Sequence, residues 1–260
     1  MLSNNRISFV KSLQQKKYRA EEGMFVAEGD KLVREYLQSS FEIDSVYGST
    51  DWLQRHGKLI GSSTQSAGAA AKDLERMSSL VTAPEVLAVV KVPQYNIPVS
   101  QLFKGITLVL DGIRDPGNMG TIIRTADWFG VHRIIASDDC AEHWNPKVVQ
   151  ASMGSLTRVK ILNRELVTFF GELNGYASAN ALSVPPVYGT FMDGENVYSA
   201  PLSKDGMIVI GNEANGIRDT TMEFISSKIS IPSFSTAAQK PESLNAAIAA
   251  ALVLAEFCRR

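Results

Sequence analysis

The stretch Asp111-Gly112-Ile113-Arg114-Asp115-Pro116-Gly117-Asn118-Met119-Gly120-Thr121-Ile122-Ile123-Arg124-Thr125-Ala126-Asp127-Trp128-Phe129-Gly130 decides how this chain is read. It follows Ile106 to Leu110, a short apolar run with the character of a buried strand, and Asp111-Gly112 and Asp115-Pro116-Gly117 then break the chain sharply. Asn118 is placed to cap a helix whose apolar positions are Met119, Ile122, Ile123, Ala126 and Phe129. A glycine-rich turn at the carboxyl end of a strand is where open α/β sheets bind ligands, because glycine lets the backbone approach one closely. Arg124 is the residue such a helix does not need for packing. It lies one turn beyond Gly120, whose missing side chain would leave room for a substrate under the guanidinium. An ordinary helix offers another use for it, an ion pair with Asp127 at i+3.

Outward from this segment, the second half repeats strand and helix. Strands are predicted at Ile106–Leu110, Arg133–Ala136, Thr157–Leu162, Tyr176–Ala179, Met207–Gly211 and Lys228–Ile231, with helices between them. Asn145-Pro146 reads as a cap and first-turn proline for a helix through Met153, and Val187 to Pro201 as a surface hairpin or loop. Alternation of this kind implies a mostly parallel sheet covered on both faces, an α/β fold. Two prolines in Lys91 to Val99 mark a boundary. Before it lies a small α/β module: a helix at Arg6–Lys17, strands at Met24–Ala27, Ile43–Tyr47 and Val86–Val92, and helices at Gly29–Leu37 and within Gln65–Met77. The domains are therefore expected at 1–97 and 98–260. Lys11, Lys16, Lys17 and Arg19 cluster near the amino end, either as a solvated face or as a groove for RNA phosphates.

The 260 residues, 45% hydrophobic and 20% charged, have the composition of a soluble globular protein. A net charge of −1 makes any nucleic-acid surface a local one. The first residues lack the apolar core of a signal peptide, and the longest apolar run, from Ala246 to Leu254, is too short to span a bilayer, so no membrane partner and a cytoplasmic location are expected. Cys140 and Cys258 form no CxxC pair, and His56, His132 and His143 are scattered, so no metal site is expected. Hydrolase, P-loop and zincin motifs are absent, as is an intact Gly-x-Gly-x-x-Gly fingerprint for a dinucleotide oxidoreductase.

Two later segments carry polar residues that a core would not choose. Ile208 to Ile210 is a buried strand ending in Gly211-Asn212-Glu213-Ala214-Asn215-Gly216, and Ile231-Pro232 is followed by a polar loop before Ser243-Leu244-Asn245 opens a helix. Turn formation and helix capping, by Asn215 and Ser243, account for each in isolation. Taken together, Asn118-x-Gly120-x-x-x-Arg124-Thr125-Ala126, Gly211-Asn212-Glu213 and Ile231-Pro232 with Ser243-Leu244-Asn245 resemble the signature motifs of the SpoU (TrmH) family of RNA ribose 2′-O-methyltransferases, in the SPOUT superfamily. The similarity runs from about Gly105 to the C-terminus, and the first module, through Phe25-Val26-Ala27-Glu28-Gly29, resembles the ribosomal-protein-like substrate-binding domain often fused to that family.

This resemblance implies a parallel-sheet domain with a C-terminal trefoil knot that binds S-adenosylmethionine, working as a homodimer in which the arginine of one subunit completes the site of the other. It implies catalytic roles for Arg124, Asn118, Glu213, Ser243 and Asn245, and cofactor binding by Gly211, Asn212, Ile231 and Leu244. RNA is the implied partner, ribosomal rather than transfer RNA on account of the first module. A transfer-RNA 2′-O-methyltransferase and a noncatalytic RNA-binding protein on the same scaffold are the alternative readings. A guanidinium is a very poor base, so Arg124 is expected to stabilise a developing oxyanion and clamp a phosphate rather than take the proton. The loop Ser233 to Glu242 departs from the family pattern, being longer and free of glycine, and reads as a surface insertion or a lid.

Overall fold

A computed structural model describes residues 2–235 and 242–259. The chain forms two compact units, and they are not two continuous stretches: the first comprises Met1–Gln94 with Glu142–Thr157, the second Tyr95–Ala141 with Arg158–Arg260. Glu142–Thr157, which the sequence places after the predicted strand Arg133–Ala136, packs with the first unit. Trp144 stacks on Phe25 with ring centroids 4.7 Å apart. Glu142 accepts from the buried Arg19, whose Nε lies 2.9 Å from Oε1.

In the first unit, β1 (Met24–Glu28), β2 (Ile43–Gly48), β3 (Gln65–Gly68) and β4 (Val86–Lys91) form one sheet in the order β1-β4-β2-β3. Helices α1 (Asn4–Ser12) and α5 (Ala71–Met77) supply Ile7, Val10, Leu74 and Met77 to a core with Val26, Leu87 and Val89. The helix expected at Arg6–Lys17 is broken, because Leu13 is buried where α1 ends and α2 (Lys16–Glu22) starts a new axis. Within Gln65–Met77, where a helix was expected, Ala71–Met77 is helical and Gln65–Gly68 adds a parallel edge strand to β2. Helix α3 (Asp30–Leu37) follows β1, and α4 (Thr50–His56) follows β2. Of the basic cluster, Lys11, Lys16 and Lys17 are exposed, whereas Arg19 is buried.

The second unit holds β5 (Ile106–Asp111), β6 (Arg133–Ala136), β7 (Lys160–Asn163), β8 (Val187–Asn196), β9 (Gly206–Gly211) and β10 (Ser227–Ser230). They make a six-stranded sheet in the order β10-β8-β9-β5-β6-β7, parallel at every pairing. Thr107 to Asp111 are all buried, as expected of a central strand covered on both faces. Helix α8 (Leu166–Ala179) packs Leu166, Phe169, Phe170 and Leu173 over one face. Tyr176–Ala179, read from sequence as a strand, is the last turn of that helix: the apolar spacing Leu166, Phe169, Phe170, Leu173, Ala177 keeps the helical period.

Val187–Asn196, expected as a hairpin or loop, is a long strand. Its first three residues pair with β9, and it then pairs with β10 across a register shift at Lys228/Ile229. Glycines allow close packing there, since a Cβ on Gly194 would sit 2.5 Å from the Ile229 carbonyl carbon. Helix α6 (Pro116–Trp128) packs against α10 (Ala246–Arg259), and α10 also reaches β9. Because β5 runs on to β6 and β7 on one side while β9 and β8 lie on the other, the strand order reverses between β5 and β9. Such a switch point opens a crevice at the carboxyl ends of the strands.

Candidate active site

Two turns leave adjacent strands side by side at that switch point, since Asp111 and Gly211 form the last register pair of β5 and β9. The first turn runs through Gly112, whose φ of +74° favours glycine, to Asp115. Asp115, not Asn118, is the cap of α6. Its carboxylate accepts from the Asn118 backbone N–H at 2.8 Å, and Pro116 takes the first helical position.

The second turn is framed by Asn212. Its backbone exchanges hydrogen bonds with Gly216 at 3.0 and 2.9 Å, its Oδ1 accepts from the Ala214 and Asn215 N–H groups, and its Nδ2 donates to the Gly112 carbonyl at 2.8 Å. Asn212 thus shapes the turn and joins it to the first one, leaving it few groups for a ligand, and Asn215 is not a cap.

Freed from capping, the Asn118 side chain bridges the two turns. Its Nδ2 donates to Glu213 Oε1, and its Oδ1 accepts from Asn245 Nδ2 at 2.9 Å. Asn245 Oδ1 in turn accepts from the Ala247 and Ile248 N–H groups at 3.0 and 3.3 Å, capping α10. The carboxylate at one end accepts and the helix amides at the other donate, so both amide orientations are determined. Three of the predicted site residues, from three segments, therefore form one hydrogen-bonded relay. Ser243, expected in the site by resemblance and as the cap of α10 when its segment is read alone, is exposed and makes no hydrogen bond to a described residue.

Arg124 is exposed on α6, and the described residues offer it no ion-pair or hydrogen-bond partner. Asp127, the alternative partner, is taken by Arg158, with Nη2 and Oδ2 2.9 Å apart. The space beneath Arg124 is not made by Gly120, which is buried; Gly117, Thr121 and Trp128 share the exposed face of the helix. Ile231 is half-buried and Leu244 is 47% exposed, and neither backbone has a hydrogen-bond partner among the described residues. Residues 236–241 of the long loop lie outside the described residues.

Behind the relay lies a network that reading the sequence missed. Arg218 donates to Asp111 through Nε at 2.5 Å and through its backbone N–H at 3.0 Å, and to Asp139 through Nη2 at 2.7 Å. Burial pushes the Asp139 carboxyl up, but the Ser137 hydroxyl, Arg114 and Arg218 outweigh it and hold its pKa at about 2. Asp111 closing a buried strand was the available signal, but its partner lies more than a hundred residues away. Among the described residues no group of three His, Cys, Asp or Glu is placed to hold a metal, and no helix is long and apolar enough to cross a membrane.

Comparison with known proteins accords with this geometry. Residues 4–88 match the MRM3-like substrate binding domain. The chain is 26% identical over 252 residues to the 23S rRNA (guanosine(2553)-2′-O)-methyltransferase RlmP of Bacillus subtilis, covering 96% of this chain and 95% of that one. It is 36% identical over 155 residues to the 23S rRNA (guanosine-2′-O-)-methyltransferase RlmB of Neisseria meningitidis, covering 59% and 58%. A putative RNA methyltransferase of the TrmH family from Porphyromonas gingivalis superimposes with a TM-score of 0.87 at 35% identity, over 100% of this chain and 99% of that one. The AdoMet-bound rRNA methyltransferase of Sinorhizobium meliloti superimposes with a TM-score of 0.84 at 25% identity, over 100% and 96%. Residues 105–255, which contain both turns, the relay and Arg124, match the SpoU rRNA Methylase family, and the chain belongs to it.

Proposed function

We propose that this protein methylates a ribose 2′-hydroxyl of ribosomal RNA with S-adenosylmethionine, as a homodimer. The observation that carries the reading is Arg124, an exposed cation without an ion-pair or hydrogen-bond partner among the described residues, on the helix whose Asn118 is locked to Glu213 and Asn245. The bound cofactor supplies an electrophilic methyl group on a positively charged sulfur. The ribose hydroxyl that would accept this methyl group must lose its proton, to a phosphate oxygen or water, because the chain offers only a guanidinium there. Arg124 holds the oxygen as it gains negative charge and clamps the adjoining phosphate. Asn118, held from both sides, orients the ribose, and correct placement alone can supply several orders of magnitude in rate.

The cofactor fits the residues that remain free. Strand β8 stops pairing with β9 after Gly189 and Val209, so the end of β9 at Ile210 and Gly211 has no strand neighbour on that side. The backbones of Ile231 and Leu244 likewise have no hydrogen-bond partner among the described residues, and the Leu244 side chain offers an apolar surface. Gly211, Ile231 and Leu244 are therefore the residues that would hold it, with Ser243 beside them. In this reading the C-terminal part of the second unit is tied in a trefoil knot.

A second copy would cover a face that this chain leaves open. Trp128 is 86% exposed on α6, and Ile248 and Leu252 are exposed on α10, at the spacing of one helical face. Arg124 shares the exposed side of α6 with Trp128, so a partner seated there would receive it. The first unit supplies the hold on RNA, supported by its match to a substrate-binding domain and by exposed Lys11, Lys16 and Lys17. Ribosomal rather than transfer RNA is favoured because RlmP, similar over nearly its whole length, is named for 23S rRNA.

The test is transfer of labelled methyl groups from the cofactor to total RNA, followed by mapping of 2′-O-methylated positions. Incorporation at one ribosomal position is expected. Absence of incorporation into any RNA by protein that binds the cofactor would establish a noncatalytic binder instead.

A further inference from the structure

Outside the relay, Arg218 links two carboxylates of the second unit. It follows the Gly211–Ile217 turn and grips Asp111 twice, through its backbone and its side chain. The Asp111 side chain is fully buried, while that of Arg218 is 49% exposed. The second arm of the guanidinium reaches Asp139, which also accepts from Arg114 at 2.9 Å and from the Ser137 hydroxyl at 2.8 Å. Ser137 Oγ accepts the Gly112 N–H at 2.9 Å, which closes a ring running Asp111, Arg218, Asp139, Ser137, Gly112.

Every member of this ring bears on one of the two turns. Asp111 and Gly112 begin the turn that leads to Asn118 and Arg124, Arg218 ends the turn that carries Glu213, and Asn212 ties the front of that turn to Gly112 at 2.8 Å. The Glu213 turn is thus held at both ends by the same two residues, Asp111 and Gly112. Arginine suits this position because its planar fork meets two carboxylates at once, whereas a lysine ammonium is a single point charge on a flexible stem.

We propose that Arg218 is a positioning residue for methyl transfer: by bridging Asp111 and Asp139 it sets the distance between the two turns and so the Glu213–Asn118–Asn245 relay. The assignment rests on the methyltransferase reading above for its kinetic consequence, and on geometry alone for the clamp.

The test compares wild-type protein with Arg218→Lys and with Asp139→Ala, the latter leaving Asp111 paired so that the fold is kept. Amide hydrogen exchange and single-turnover transfer at saturating RNA and cofactor are both measured. Exchange at residues 212–217 is expected to rise by about tenfold in both variants, with β5 and β9 unchanged. Transfer is expected to slow by about tenfold, with cofactor affinity held within about twofold. Unchanged exchange in the turn, or a rate lowered only in proportion to the unfolded fraction, overturns the assignment. Should wild-type protein transfer no methyl group to any RNA, the methyltransferase reading fails alone, and the exchange comparison still decides the clamp.

Discussion

Arg124 and His143 show how differently polar groups can be left without hydrogen-bond partners among the described residues. Arg124 is exposed, so its lack of a partner costs little in the free protein, and its donors stay available for a phosphate or an oxyanion. Arg124→Ala is expected to lower the transfer rate by about a hundredfold or more while cofactor affinity measured by calorimetry is retained. Arg124→Lys should recover little of the loss, and near-normal turnover in that variant would exclude two-pronged clamping. His143, in the first unit, has a buried Nδ1 with no hydrogen-bond partner, and burial pushes its pKa down to about 4 against the opposing charge of Glu142. It is neutral in the fold, whereas the unfolded chain takes up the proton near pH 6.5. Its contribution to stability is therefore full above about pH 6.5 and is lost as the pH falls towards about 4. Denaturant titrations across that range should show this slope in the wild type and a flatter one in His143→Phe.

Among the elements, the turn after β9 is the most tightly built. A Cβ on Gly211 would sit 2.5 Å from the Ile217 nitrogen and closer still to the Gly216 carbonyl carbon, so the returning chain leaves no room for a side chain. Gly211→Ala should destabilise the protein by about 1–3 kcal/mol through overpacking, measured by denaturation, and should weaken cofactor binding as the turn shifts. Unaltered stability together with full cofactor affinity would show that the turn yields at no cost. Elements differ in how far local pattern reveals them. Strands β5, β6 and β9 are apolar runs bounded by turn residues, and α6 and α10 keep a helical period, so local pattern sufficed. Strand β8 was missed because only Val187 to Gly189 are buried, and the rest is a polar edge that no alternation marks.

For the molecule as a whole, assembly is tested by subunit mixing. If Arg124 of one subunit completes the site of the other, Arg124→Ala and Asn245→Ala proteins should each be nearly inactive alone, yet regain activity when mixed and allowed to exchange subunits. A mixed dimer carries one site with both groups intact. No recovery, with exchange verified by mass spectrometry, would place Arg124 in the site of its own chain. Trp128→Glu should shift sedimentation towards the monomer and lower transfer with it, because a charge would then lie on the apolar face. At this scale contacts distant in sequence also count: Glu142–Thr157 packs with the first unit, where Trp144 meets Phe25.

By itself, the sequence determined the parallel α/β architecture, the glycine-rich turns after β5 and β9, and the identity of Arg124, Asn118, Glu213 and Asn245 as residues of interest. These are consequences of period, turn chemistry and motif, which act over a few residues. Only the tertiary structure decided which partner each polar group takes. It gave Asp127 to Arg158 rather than to Arg124, the cap of α6 to Asp115 and that of α10 to Asn245, and joined Asp111 to Arg218 across 107 positions. The physical reason is range: a hydrogen bond forms only within about 3 Å, so its partner is fixed by which loops the sheet order brings together.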